Sequence, residues 1–163
     1  MNAQITSQKG RTYTTKQFGD ACEMLVAAEL TLAGIPALKV PEMWPGYDVI
    51  AQPMEGDPQR ISVKARTNRP GNFIVFHKDD QFEWLAVVLI PDGFGDRQFY
   101  IIPRAVADTE ARRDRETAKT AALRYFTPAD MERRFRHYLG NFRLDPIGSF
   151  KRPSPQVSVS RSA

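Results

Sequence analysis

Residues 47–65 read YDVIAQPMEGDPQRISVKA, two short apolar stretches separated by polar residues. The stretches Tyr47–Ala51 and Arg60–Ala65 have strand character, and residues 55–58 (EGDP) between them form a turn signal. This spacing predicts an antiparallel hairpin at the centre of the fold.

Charged residues lie within both predicted strands of this hairpin. Because side chains alternate between the two faces of a strand, Asp48 shares a face with Ile50, and Lys64 shares a face with Ser62. The carboxylate and the ammonium can therefore face the same side of the sheet. Burying either charge alone is costly, so three arrangements stay open: a structural ion pair, a metal site or a wet cleft.

A carboxylate and a lysine on neighbouring strands suit the hydrolysis of a phosphodiester bond. An aspartate and a backbone carbonyl can hold magnesium, which prefers oxygen ligands and keeps several waters. The lysine can orient the attacking water or offset the charge that builds on phosphorus.

A helix is predicted before the hairpin, from about residue 16 to residue 33. Thr15 is a plausible N-cap, and Gly34 ends the helix, with Pro36 just beyond. The residues that cluster on one side at the helical period are Phe18, Ala21, Cys22, Leu25, Ala28 and Leu32.

Short strands and helices follow in the rest of the chain. The predicted strands are Ala37–Val40, Trp84–Ile90 (buried on both faces) and Gln98–Ile102, with Phe73–Phe76 ambiguous between strand and loop. The predicted helices are 108–120 and Pro128–Tyr138, the latter burying Met131, Phe135 and Tyr138. This order predicts a small α/β or α+β sheet covered by helices.

One pattern runs through these elements, formed by Gly19, Glu23 and Gly34 in the first helix, then Gly46–Ile50, then Ile61–Lys64. It resembles the PD-(D/E)XK nuclease superfamily, in particular the small members related to Holliday junction resolvases and restriction-type endonucleases. The resemblance implies an α/β fold with a mixed central sheet flanked by helices, a restriction-endonuclease-like α-β-β-β-α-β core, here with extra C-terminal helices. It also implies metal-dependent cleavage of nucleic acid.

The resemblance assigns roles to individual residues. Asp48 matches the metal-binding aspartate, with the backbone carbonyl of Val63 as a further ligand for Mg²⁺ or Mn²⁺. Lys64 matches the catalytic lysine, and Glu23 matches an acidic residue that some members carry on the first helix. The sequence departs from the pattern at Ser62, where the family usually has an acid.

A serine hydroxyl is a weak, neutral ligand, so the variant site has one negative charge fewer than the usual one. Either another acid compensates, with Glu23, Glu42 and Glu55 as candidates, or the chain binds without cleaving. Glu29 competes with Glu23 as the helix acid that faces the sheet. The expected function is a metal-dependent DNA endonuclease; the alternative is a degenerate nuclease fold that binds nucleic acid or protein.

The charge distribution agrees with a polyanionic partner such as DNA. The chain has a net charge of +4, with −2 in residues 1–103 and +6 in residues 104–163. Arg66 and Arg69 follow Lys64 and could hold a phosphate backbone near the site. Two further groups are either non-specific phosphate contacts or solvated residues beside acids: Arg112, Arg113 and Arg115, and Arg133, Arg134 and Arg136.

Length and composition predict one domain over residues 15–147, with a flexible arm at 1–14 and a disordered basic Ser/Pro tail at 148–163. The single cysteine, Cys22, excludes an internal disulfide and a zinc–thiolate cluster. No apolar run reaches the ~20 residues that cross a bilayer, and the polar N-terminus has no secretion signal, so no membrane partner and a cytoplasmic location are expected. A homodimer is expected by analogy with small nucleases of this kind.

Overall fold

The structure is a computed structural model that describes residues 13–67, 69–92 and 95–148. The predicted tail beyond Gly148, and the predicted arm up to residue 12, lie outside the described residues. The helices are α1 (Thr15–Leu32), α2 (Arg104–Glu110) and α3 (Pro128–Phe135), the last continuing into a 3₁₀ turn at Arg136–Tyr138. The strands are β1 (Ala37–Lys39), β2 (Val49–Ala51), β3 (Gln59–Arg66), β4 (Ile74–His77), β5 (Trp84–Leu89), β6 (Gln98–Pro103) and β7 (Leu123–Phe126).

The main sheet has five strands in the order β1-β2-β3-β5-β6, and β4 pairs with β7 in a separate two-stranded sheet. The predicted central hairpin is confirmed, because β2 and β3 are antiparallel with Val49 opposite Ile61. The pair β3–β5 is parallel, whereas β1–β2 and β5–β6 are antiparallel. The sheet is therefore mixed.

Strand β5 separates two hydrophobic cores. All six of its residues are buried, as its continuous apolar run predicts. Ala86 and Val88 pack with α1 and the inner faces of β2 and β3, whereas Leu85 and Val87 pack with β4, β7, α2 and α3. The main sheet is thus covered on both faces.

The first helix begins and ends through local hydrogen bonds. Thr14, one residue before the predicted cap, forms a capping box with Gln17. At the other end Gly34 takes a φ of +98°, and the bonds Gly34 N–H to Thr31 C=O and Ile35 N–H to Leu30 C=O close a Schellman motif.

The predicted apolar face of α1 is partly wrong. Cys22 is buried as expected, but Leu32 is 83% exposed, and Ala21 and Ala28 are also exposed. The buried residues of the helix are Cys22, Val26, Ala27 and Leu30. The helix is rotated from the predicted orientation because Val26 and Leu30 offer more apolar area to the sheet than the alanines do.

The predicted helix over residues 108–120 is wrong beyond Glu110. Ala111 is extended, and Arg112 exchanges two backbone hydrogen bonds of 3.1 Å with Tyr125 of the unpredicted strand β7. The charged segment has no apolar stripe to pack, so β-pairing with β7 overrides its helical propensity. The ambiguous segment Phe73–Phe76 becomes a strand by pairing with β7.

The last predicted helix is confirmed in α3 and its 3₁₀ turn, with Met131, Phe135 and Tyr138 buried. Of the helices in the described part of the chain, none is long and apolar enough to cross a membrane.

Candidate active site

Asp48 lies one residue before β2, between two strands that hold its backbone. Its N–H donates to the Ile61 carbonyl (2.9 Å), and its C=O accepts from Val40 N–H (3.0 Å). Its carboxylate Oδ2 accepts from Val63 N–H at 2.7 Å, and the Ser62 hydroxyl lies 3.5 Å away. Within the described residues, Oδ1 accepts no hydrogen bond, so it is available to a ligand.

The carbonyl of Val63 faces the same edge of β3 as its N–H. Ile61 presents its carbonyl to Asp48, and a residue two positions later in a strand repeats that orientation. Because β2 begins at Val49, it does not pair with β3 at Val63, and the Asp48 carboxylate bonds this edge of Val63 instead; β5 pairs with β3 on its other edge.

Ser62 and Lys64 share one face of β3 by strand alternation, and the Ser62 hydroxyl lies 3.5 Å from the Asp48 carboxylate. Asp48 departs from the regular β2–β3 register, because its N–H donates to the carbonyl of Ile61, the residue that pairs with Val49. Ser62 is buried, whereas Lys64 is half-buried and makes no ion pair in the part of the chain described. The predicted alternative, a structural ion pair between Asp48 and Lys64, is therefore not formed.

Glu23 of α1 is the helix acid close to Asp48. Its Oε2 lies 2.8 Å from Nζ of Lys39 in β1, and Asp20 Oδ1 lies 3.8 Å from the same ammonium. Burial raises the pKa of Glu23 above its ordinary value; the ion pair with Lys39 opposes this rise, and the negative charge of Asp48 adds to it. Glu29 does not join this group.

These side chains line a small cavity of about 80 Å³, called the acidic cavity below. Its lining residues are Asp20, Glu23, Lys39, Val40, Pro41, Glu42, Met43, Trp44, Tyr47 and Asp48. Ser62 and Lys64 lie beyond its lining, although the Ser62 hydroxyl is 3.5 Å from Asp48 Oδ2. Larger cavities lie elsewhere, including one of about 490 Å³ beside Arg69 and α3.

The other two candidate acids differ in position. Glu42 lines the acidic cavity, where its carboxylate is bonded to the ammonium of Lys16. Glu55 lies exposed in the β2–β3 turn, at the opposite end of β2 from Asp48. Of the two, Glu42 alone is placed to add charge near Asp48.

Arg66 and Arg69 lie past Lys64, at the C-terminal end of β3. Arg66 donates to the carbonyls of Phe73 (2.8 Å) and Ala65 (2.7 Å), and burial lowers the pKa of its guanidinium. It therefore ties the β3–β4 connection to the sheet. Arg69 is exposed and lines a cavity of about 380 Å³ with Arg66.

The sequence interpretation missed Lys39 and Asp20. Lys39 ends a short apolar strand, and its nearness to Glu23 depends on β1 packing beside α1. The sequence could have indicated Asp20, because this residue precedes Glu23 by three positions and so lies on the same face of the helix.

The donor set fits a divalent cation that keeps most of its waters. In the described ranges, no group of three or more His, Cys, Asp or Glu side chains could hold a metal ion. Asp48 with its free Oδ1, the Val63 carbonyl and Glu23 are all hard oxygen donors, and magnesium commonly binds through only one or two carboxylates plus substrate phosphate. The ion pair between Lys39 and Glu23 competes with a cation for the Glu23 carboxylate.

No protein-family model matches the chain, and no curated protein sequence matches it. Among solved structures, the bacterial homing endonuclease I-Ssp6803I is similar, with a TM-score of 0.52, 16% identity and coverage of 82% of this chain and 91% of that one. The Holliday junction resolvase Hjc of the archaeal hyperthermophile Archaeoglobus fulgidus has a TM-score of 0.42 and 16% identity, covering 64% and 86% of the respective chains.

The fold is restriction-endonuclease-like. This confirms the predicted mixed central sheet flanked by helices, with further helices toward the C-terminus. The implied α-β-β-β-α-β order differs in one element, because the connection between the parallel strands β3 and β5 carries strand β4 and no helix in the described residues. At 16% identity the likeness to I-Ssp6803I concerns the fold, so the chemistry of this chain has to be argued from its own residues.

Proposed function

We propose that the protein is a divalent-metal-dependent endonuclease that hydrolyses phosphodiester bonds in DNA. The observation that carries the proposal is the position of Asp48. It precedes β2, bonds to Val63 N–H at 2.7 Å, and shares the acidic cavity with Glu23 on a restriction-endonuclease-like fold.

Asp48, the Val63 carbonyl and Glu23 would hold the cation, Mg²⁺ or Mn²⁺. When bound, the cation supplies a Lewis acid that activates water and offsets charge on the phosphate. The bond from Val63 N–H fixes the Asp48 carboxylate through Oδ2 and leaves Oδ1 without a hydrogen bond among the described residues. Glu23 supplies the second negative charge that Ser62 does not.

Lys64 would act on the phosphate side of the reaction. Lys64 follows Val63, whose N–H bonds to Asp48, and its ammonium has no carboxylate partner in the described chain, so it is free to meet an anion. There it can orient the attacking water and stabilise the charge that develops on phosphorus as water adds and the P–O bond to the leaving oxygen breaks.

The test is nicking of supercoiled plasmid in the presence of Mg²⁺ or Mn²⁺. Asp48→Ala and Lys64→Ala should each reduce the rate by about a hundredfold or more. The matched controls are Asp57→Ala in the exposed β2–β3 turn and Lys119→Ala on the exposed surface. Nicking that persists in both active-site variants, or that needs no metal, would refute the assignment.

A second candidate is a nucleic-acid-binding protein that does not cleave. Two observations favour it: the neutral Ser62 at the usual acid position and the ion pair of 2.8 Å between Glu23 and Lys39. This candidate predicts salt-sensitive DNA binding that survives Asp48→Ala and Lys64→Ala, without nicking by the wild type. The homodimer and the cytoplasmic location remain proposals, the former tested by sedimentation.

A further inference from the structure

The loop between β1 and β2 carries two exposed apolar side chains at the mouth of the acidic cavity. Met43 is 97% exposed and Trp44 is 50% exposed, and both line the same cavity as Asp48. Solvent exposure of large apolar groups is unfavourable, and here it occurs beside the proposed reaction centre.

The backbone at Met43 adds to this observation. Residues 41–44 form a tight turn in which Trp44 N–H donates to the Pro41 carbonyl (3.4 Å), and Met43 takes a φ of +80°. That turn position favours glycine or asparagine, because a larger side chain is strained there. A methionine held in strained backbone with its side chain in solvent has no packing role in the described structure.

Trp44 is held in a fixed orientation. Its ring meets Tyr47 edge-to-face, with centroids 5.8 Å apart and an interplanar angle of 84°, and Tyr47 packs against the core on the β4–β7 side. Proline stands on both sides of the exposed pair, at 41 and 45, and limits the motion of the loop. Because Trp44 and its loop are already restricted, little conformational entropy is lost when a ligand binds to the exposed indole surface.

We propose that Met43 and Trp44 form a stacking subsite for an unpaired nucleobase, so that the preferred substrate is DNA with an unstacked nucleotide next to the bond to be cut. The inference rests on the proposed function. Aromatic side chains stack on any base, because every base has a π face, whereas a continuous duplex offers none to a side chain outside the helix.

The charges around the site support this choice of ligand. Four carboxylates line the cavity, those of Asp20, Glu23, Glu42 and Asp48. Only two ammonium groups, Lys16 and Lys39, offset them among the described residues, so a phosphate meets net repulsion there unless cations are present. Base stacking is attractive without depending on that charge. The apolar loop therefore supplies affinity where the acidic cavity cannot.

The experiment compares a labelled duplex containing a short unpaired bulge with a fully paired duplex of the same flanking sequence. Binding is measured by fluorescence anisotropy in Ca²⁺, an oxygen-preferring cation. Wild type should prefer the bulged DNA, and Trp44→Ala should weaken that binding by about tenfold while changing the affinity for paired DNA by less than about twofold.

Two matched variants complete the design. Trp44→Phe keeps an aromatic face and should retain most of the preference. Met54→Ala removes an equally exposed methionine (95%) from the β2–β3 turn, far from Asp48, and should change nothing. Bulged DNA should also quench the emission of wild type but not of Trp44→Phe, in which buried Trp84 is the remaining tryptophan.

Several results would overturn the proposal. One is an equal loss of both affinities in Trp44→Ala, which would make the loop a general DNA contact. Another is no loss at all, or a change from dimer to monomer in sedimentation, which would make it a self-association surface. If wild type nicks DNA but Trp44→Ala leaves its bulge preference intact, this inference alone fails; if wild type binds neither DNA, the proposed function fails with it.

Discussion

Lys39 competes with any cation for the carboxylate of Glu23. Its ammonium lies 2.8 Å from Glu23 and 3.8 Å from Asp20, and its pKa is raised chiefly by the hydrogen bond to Glu23. We expect Lys39→Met to tighten Mn²⁺ binding by about threefold to tenfold, because it removes a positive charge while keeping the side-chain length. Isothermal titration calorimetry measures the affinity directly.

Lys16→Met is the control for that experiment. Lys16 bonds to Asp20 and Glu42 but not to Glu23, so its removal should change the Mn²⁺ affinity less. Weaker Mn²⁺ binding by Lys39→Met than by wild type would show that Lys39 supports the site rather than competing with the metal.

Ser62 marks the place where an acid is missing. Because Ser62 is buried with its hydroxyl 3.5 Å from Asp48, Ser62→Asp should lower the free energy of unfolding of the metal-free protein by about 1–3 kcal/mol through like-charge repulsion and burial. Mn²⁺ should restore more stability to this variant than to wild type, since a third carboxylate raises metal affinity. Thermal unfolding with and without Mn²⁺ measures both effects.

The comparison variant is Ser62→Asn, which has the size of the aspartate without its charge. It should show the packing cost alone and no added response to Mn²⁺. Equal metal stabilisation in the Asp and Asn variants would mean that the side chain at position 62 does not contact the cation.

How far the site follows from sequence differs from residue to residue. The common face of Ser62 and Lys64 was predictable because strand alternation has a fixed period of two. The position of Asp48 was predictable only in part, because alternation is lost just before β2: Tyr47 packs on the β4–β7 side of the sheet and Val49 on the α1 side. The choice between Glu23 and Glu29 was not, because the rotation of a helix about its axis depends on which side chains pack best against a sheet that the sequence does not show.

Among the secondary-structure elements, α3 has an N-terminal cap whose contribution to the stability of the protein depends on pH. Asp130 is 4% exposed, and its carboxylate accepts from Thr127 N–H (2.9 Å) and Arg133 Nη2 (2.5 Å). Burial alone would raise the pKa of Asp130, but these bonds outweigh it, and the pKa is lowered. The stabilisation is therefore present above the unfolded pKa of about 4 and is lost as pH falls through the lower folded value.

We expect Asp130→Asn to reduce the free energy of unfolding by about 1–2 kcal/mol at pH 7. The difference from wild type should shrink in strongly acidic buffer, where the wild-type carboxyl is also neutral. Urea denaturation at both pH values tests this. Glu132→Gln, an exposed change on the same helix, should have little effect at either pH; a constant difference for Asp130→Asn would show that its charge is unimportant.

Helices and strands with a clear pattern of apolar residues were predictable from the sequence. Those that form only by pairing with a segment distant in the sequence were not. Strand β5 was evident from its unbroken apolar run, and α3 from its Thr-Pro start and spaced apolar residues. By contrast, β7 is short and alternates around the charged Arg124, which is buried against Asp108 at 2.9 Å. Such a strand exists because β4 pairs with it, and that contact spans about fifty residues of sequence.

Across the whole molecule, many arginines are neutralised by neighbouring acids. Arg133 and Arg134 pair with Asp130, and Arg136 pairs with Glu132. Arg69 differs, because it is exposed and has no ion pair among the residues described. The arginines therefore differ in how freely they can contact a phosphate backbone, and the net charge of the sequence does not show this difference.

This contrast predicts which arginines set the salt dependence of DNA binding. A residue that neutralises one phosphate releases about one counterion, so Arg69→Ala should weaken binding to all DNA sequences alike and reduce the slope of log affinity against log salt by about one. Arg136→Ala, on the opposite side of the sheet from α1, should leave the slope unchanged, because its loss also frees Glu132 from its partner. If both variants reduced the slope equally, DNA would contact the α3 surface as well, and the binding face would have to extend around the sheet rather than follow the edge that carries Asp48.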